Sequence, residues 1–406
     1  MAESKRTFVT LDGLRGIAAL AIVARHAPVF FNSVSIYVQS DIGKPIALGP
    51  FFESYLAVDF FFALSGFVLA HAYGQRLREG MPASQFMTVR LIRLYPLYLL
   101  ALAMTSVIAI RQMTKGEIMP SSFARNLIPA LLFLPSPASA TVLFPLNGPA
   151  WSLFFELIAN GVFGSLGRRL TGTILVTFVA IAGTVLTGAV VTGAFGFGAS
   201  GQGAMADGFE WSSLGAGLLR VTYSFFAGIL VYRIWTRSRP PIHAPVLVVM
   251  LVLAAVLISH PPERYQTAFD LSVTLIGFPV LIWLGASSLP NGAMARLCHW
   301  LGVASYAVYV LQAPLYNFIM RGLASLQMNS DHIAWPWGLA FVGLVLAVAI
   351  IADQYFDRPV RQMLTARLRT RGSLHAWGEV TEKGTIRRRC NSRGRSRWGA
   401  LGLGRR

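Results

Sequence analysis

The chain has 406 residues, of which 54% are hydrophobic and only 13% charged; its mean hydropathy is +0.57. Soluble domains carry about a quarter charged residues, so this composition excludes an ordinary water-facing enzyme, and its apolar content excludes disorder. Thirty-five Lys and Arg against 17 Asp and Glu give a net charge of +18. Fourteen of those cations lie between Arg358 and Arg406, opposed only by Glu379 and Glu382. The excess is therefore concentrated in the tail. Residues 362–406 read as a disordered, basic cytoplasmic end resting on anionic lipid, not as a nucleic-acid-binding surface. Cys298 and Cys390 cannot make a disulfide framework, and no Cys/His cluster suggests a metal.

In chain order, a first helix is expected over 11–31. Lys5 and Arg6 precede it, but Arg15, Arg25 and His26 interrupt its apolar run and no small-residue cleavage site follows. It reads as a retained helix, not a signal peptide. A bilayer core takes about 20 mainly apolar residues per helix. Further spans of that kind are expected at 51–73, 90–110, 144–166, 172–195, 213–235, 244–260, 266–286, 300–320 and 335–355. The apolar stretch 123–134 is short and closes at Pro135, so it reads as interfacial; 193–208 is Gly-rich and reads as a loop. The expectation is an all-α, polytopic transmembrane bundle of about ten helices over residues 1–361. With the N-terminus inside, inner loops carry twelve Lys and Arg and outer loops six, before the tail is added. The positive-inside rule then gives an N-in, C-in topology.

Charged and titratable residues inside spans are costly and usually face a polar cavity. Arg15, His26, Asp59, Glu156, Arg220, Asp270 and Asp353 fall in this group, the last three close enough to span ends to read as structural or interfacial. Arg15 and His26 are eleven residues apart on one helix, close to three whole turns, so they share a face with a rise of about 16 Å between them. That face would line a path from the cytoplasm to an outward site. His26 has the chemistry of a general base. A carboxylate on another helix could orient its ring, and Glu156 and Asp59 are the candidates; the alternative for Glu156 is an ion pair with an arginine. Arg90 and Arg93 are three apart at the start of the third span and share a helix face. Two guanidinium groups there suit a phosphate-bearing ligand, or simply anchor the helix in lipid phosphates.

Six segments, in order, resemble the motifs of the integral-membrane acyltransferase 3 family over residues 8–361. They are Leu11-Asp12-Gly13-Leu14-Arg15-Gly16 followed by His26, Val58-Asp59-Phe60-Phe61-Phe62-Ala63-Leu64-Ser65-Gly66-Phe67, Arg90-x-x-Arg93-Leu-Tyr95-Pro96, Trp151-Ser152-Leu153-Phe154-Phe155-Glu156, Ser305-Tyr306-x-x-Tyr309, and Tyr355-Phe356-Asp357-Arg358-Pro359. The resemblance implies a ten-helix core that moves an acyl group, usually acetyl, from cytoplasmic acyl-CoA to a hydroxyl of an extracytoplasmic or lipid-linked carbohydrate such as exopolysaccharide or O-antigen. It implies His26 as the catalytic residue, and Arg15, Arg90 and Arg93 as acyl-donor or cavity residues. Acyl-CoA is then a co-substrate and no cofactor is held permanently. The expected partners are the donor, a carbohydrate acceptor and the bilayer of a bacterial inner membrane.

Two departures from the family pattern stand out. Gln312 replaces a histidine before Pro314 and cannot transfer protons, and Asp357 replaces a glutamate. Some members carry a fused esterase-like domain; this chain would act alone or hand the acyl group to a separate extracytoplasmic transferase. Two readings from other classes are a polytopic transporter of a glycan or small metabolite, which performs no covalent chemistry, and a lipid-binding structural membrane protein. The second leaves the Arg15–His26 alignment unexplained.

Overall fold

A computed structural model describes residues 8–26, 36–39, 45–48, 52–238, 240, 244–325 and 335–370. Phe8–Ala366 make one compact unit. The expectations for the basic tail beyond Thr370, for Lys5 and Arg6, and for residues 27–31 of the first span lie outside the described residues.

Helix α1 is Val9–Arg25, closed at His26. A short antiparallel hairpin pairs β1, Ile36–Gln39, with β2, Pro45–Leu48; nothing in the apolar spacing announced it. A 3-10 turn, Phe52–Leu56, leads into α2, Ala57–Arg78. Then come α3, Ala83–Thr114, α4, Pro120–Leu131, α5, Ala150–Leu166, and α6, Gly172–Thr192. They are followed by α7, Leu214–Arg237, α8, Val246–Ile258, α9, Glu263–Ser272, and α10, Phe278–Ser287. The last are α11, Gly292–Ser325, α12, Trp335–Ala352, and α13, Arg358–Thr370. Every expected span meets a helix. α3 and α11 run well past the expected 90–110 and 300–320, because their polar ends continue the helix beyond the apolar core.

Helices α9 and α10 are one span interrupted by a π turn, Val273–Gly277. The cause is local. Pro279 has no N–H to offer the carbonyl of Leu275, four residues back. That carbonyl instead accepts from the Tyr223 hydroxyl at 2.8 Å. A second π turn, Asp353–Asp357, precedes Pro359 in the same way.

Among the described residues, six helical stretches are long and apolar enough to cross a membrane: Glu53–Arg78, Ala83–Thr114, Gly172–Thr192, Trp211–Arg237, Glu263–Ser287 and Pro336–Leu368. Ala150–Leu166 and Val246–Ile258 are shorter apolar helices. The fold is an all-α polytopic bundle.

Small residues set its closest contacts. A Cβ on Gly66 of α2 would land on the carbonyl oxygen of Phe225, and one on Gly228 of α7 on that of Ala63. The α2–α7 pair therefore touches backbone to backbone, the mode that bundles in lipid use where hydrophobic driving force is missing. Gly13 and Gly16 play the same part for α1 against Cys298 and Leu301 of α11. With Gly302 of α11 against Asp12, these contacts run α1 and α11 side by side in the same direction. Below, the lower end of the bundle is where α1 starts and the upper end is where it reaches His26.

Candidate active site

His26 stands exposed at the C-terminal end of α1. Its Nδ1 lies 3.5 Å from Oε1 of Gln312 on α11. The Gln312 amide nitrogen donates to the Tyr309 carbonyl at 3.2 Å. That bond turns the amide oxygen toward the imidazole, so Nδ1 must carry the proton and Nε2 keeps a free lone pair. Sequence reasoning offered Glu156 or Asp59 as the group that orients this ring. Neither is bonded to it, because each carboxylate is taken by a buried arginine.

Asp59 pairs with Arg220 at 2.6 Å, both side chains fully enclosed. Arg220 also donates to the backbone carbonyls of Asp207 and Tyr55 and packs over the Trp151 ring. The Ser224 hydroxyl adds a bond to Asp59. A buried guanidinium needs its charge matched and its donors filled, and Asp59 does that here. Asp59 thus ties α2 to α7 rather than facing a reactant.

Glu156 accepts from Arg90 at 2.7 Å and from the Ser65 hydroxyl at 2.6 Å. The arginine ion pair given as the alternative for Glu156 is the one that forms. It joins α3, α5 and α2. Arg93, one turn above Arg90, is exposed. Arg15 pairs with Asp12 on its own helix. The Nε atoms of Arg15 and Arg90 are buried and, among the described residues, have no hydrogen-bond partner.

Contacts between neighbouring helices link several of these groups. On α2, Phe61, Ser65 and Val68 are partly solvent-accessible and Ala72 is exposed, and residues at that spacing share one helix face. Ser65 joins that face to Glu156 and Arg90. Phe61 joins it to Tyr309, with ring centroids 5.7 Å apart. Tyr309 and Ser152 share a hydroxyl–hydroxyl bond of 2.6 Å, and Tyr309 leads through Gln312 to His26. On α11, Tyr306, Tyr309 and Gln312 follow at intervals of three, each step a rise of about 4.5 Å. The Tyr306 hydroxyl donates to the Leu94 carbonyl at 2.5 Å. At the lower end Asp357 pairs with Arg361 at 2.9 Å and Asp353 with Arg358 at 2.7 Å.

The sequence thus named His26, Arg90 and Glu156, which the bundle joins through Ser65, Ser152 and Tyr309. It had noted Gln312 only as a departure. The signal that finds Gln312 is parallel packing of the first and ninth spans, which needs three-dimensional contact. Asp270, read as structural, is buried and accepts from the Tyr55 hydroxyl at 2.8 Å and from the Met205 amide at 3.1 Å.

The fold defines a multi-pass membrane protein with ion pairs and hydrogen bonds between its buried helix faces. Comparison with known proteins gives the class its name. The profile of the acyltransferase 3 family, described as an acyltransferase domain, matches residues 8–353. The chain belongs to that family and is a membrane acyltransferase. It is 45% identical over 192 residues to protein 2 in the picA locus of Rhizobium radiobacter, an alignment covering 44% of this chain and 92% of that one. It is 32% identical over 151 residues to the acyltransferase MdmB of Streptomyces mycarofaciens, covering 36% of each chain. No solved structure matches the sequence.

Proposed function

We propose that the protein is an O-acyltransferase of a bacterial inner membrane, with ten crossings and both termini in the cytoplasm. It takes an acyl group, acetyl by family habit, from cytoplasmic acyl-CoA. It delivers that group to a hydroxyl of an extracytoplasmic or lipid-linked carbohydrate such as exopolysaccharide or O-antigen. The observation that carries this reading is the chain of contacts from the Arg90–Glu156 pair through Ser65 and Phe61 of α2 to Tyr309, Gln312 and His26. The nucleotide phosphates stay at the lower mouth against Arg93 and Arg90. The uncharged thioester arm threads past Ser65 and Tyr309, and Arg15 serves the same path. No phosphate then has to enter hydrocarbon, where charge is costly.

At the upper end the free Nε2 of His26 takes the proton of the acceptor hydroxyl as its oxygen attacks the thioester carbonyl carbon. The carbon–sulfur bond breaks, and the thiolate recovers the proton from the imidazolium. A second route puts the acyl group first on Nε2 and transfers it from there to the hydroxyl. Gln312 accepts from Nδ1–H in both routes and holds the ring without supplying charge. The acceptor is either the carbohydrate itself or a separate extracytoplasmic transferase that passes the group on.

The test is radiolabelled acetyl-CoA supplied to the cytoplasmic face of membranes carrying the protein, followed by analysis of the extracted glycans. Label in ester linkage that disappears in His26→Ala supports the reading; undiminished label in that variant sinks it. The transporter alternative has no observation in its favour within a chain of this family.

A further inference from the structure

Ser152, Glu156 and Asn160 recur every four residues on one face of α5. The first two bond across to neighbouring helices, to Tyr309 and to Arg90 and Ser65. The third is fully buried, yet among the described residues neither its Oδ1 nor its Nδ2 has a hydrogen-bond partner. A buried amide left unpaired on both atoms loses its solvation with nothing in return, so native structures nearly always fill it. Asn160 stands one turn, about 6 Å, below Glu156. Helices α2 and α5 descend together, Ser65 meeting Glu156 and Leu77 meeting Gly167. Asn160 is therefore about level with Val68, which is partly solvent-accessible. Nearby, the buried Nε of Arg90 is also without a partner.

We propose that Asn160 is a binding residue for the amide-bearing pantetheine arm of the acyl donor. The arm carries secondary amides, each with one N–H and one C=O. A primary carboxamide answers both, donating from Nδ2 to the carbonyl and accepting at Oδ1 from the N–H. Asn160 would grip the arm beside the Arg90–Glu156 pair, where it leaves the nucleotide end for the thioester. The proposal rests on the donor reading above and adds a residue no motif marked.

The experiment compares wild type with Asn160→Leu and Asn160→Ala in detergent. With acetyl-CoA and with acetyl-pantetheine as donors, KM should rise about five- to tenfold with kcat retained, the loss expected for a hydrogen bond or two. Adenosine 3′,5′-bisphosphate, which has no arm, should shift the melting temperature of wild type and variants equally. Removing an unpaired amide should leave the melting temperature of the ligand-free protein unchanged or raised. An unchanged KM in folded variants overturns the proposal. So does failure of both variants to fold, because the amide would then be held by the protein itself. A wild type that cannot use acetyl-CoA at all removes the donor reading, and this proposal falls with it; an active wild type with an unchanged variant KM refutes the Asn160 role alone.

Discussion

His26 and Gln312 meet across the α1–α11 seam, Nδ1 to Oε1 at 3.5 Å, and the amide is turned by its own bond to the Tyr309 carbonyl. Two uncharged groups therefore set the tautomer of the imidazole. Gln312→Leu should lower kcat about fivefold to tenfold, as expected for one hydrogen bond, with the donor KM unchanged. His26→Ala should lower it by about 10²–10⁴, the usual worth of a general base, while the protein still inserts and melts normally. Steady-state acetyl transfer and a melting curve on each variant check both outcomes.

The Asp59–Arg220 pair should behave as scaffold. Asp59→Leu leaves a buried guanidinium uncompensated and should destabilise the protein by about 3–5 kcal/mol. Arg220→Met should do likewise. The double replacement removes both charges and should recover most of the loss. Detergent melting of the two single variants and the double variant decides it; a double variant no better than the singles would contradict the pairing.

Arg90 and Arg93 should separate. Arg93 is exposed, so Arg93→Gln should raise the acyl-CoA KM severalfold without affecting folding. Arg90 holds Glu156 at 2.7 Å. Arg90→Gln should therefore weaken donor use and also lower the melting temperature, and Glu156→Gln should lower it too. Equal effects of the two arginine changes on stability would count against this division.

Gly66 and Gly228 leave no space for a side chain. Gly66→Val or Gly228→Val should prevent α2 and α7 from closing and abolish recovery of folded protein after detergent extraction. Gly161, with nothing near a built Cβ, is the control, and Gly161→Ala should be tolerated.

The fold was largely legible because a succession of long apolar stretches leaves little freedom. Boundaries were less so: helix continues beyond the hydrocarbon in α3 and α11, where polar residues no longer mark the span. The hairpin of Ile36–Gln39 with Pro45–Leu48 carries too short a pattern to read. In the site, residue type and helical spacing singled out His26, Arg90 and Glu156. The partner of each was hidden, since a carboxylate in a span is equally suited to imidazole or guanidinium until the neighbouring helix is known. Asp59 went to Arg220 and Glu156 to Arg90 because a buried guanidinium has more donors to fill than an imidazole has. Asn160 gave no sequence signal, as one asparagine in an apolar helix is unremarkable until its neighbours prove to offer it nothing.

The carbonyl oxygens packed against Gly66 and Gly228 have a mechanical consequence. Carriers that work by rocking need helices able to shear past one another. Here α2 cannot slide along α7 without driving main-chain atoms into each other, and the Asp59–Arg220 bolt resists rotation as well. The α2–α7 pair is thus a fixed rail within the bundle.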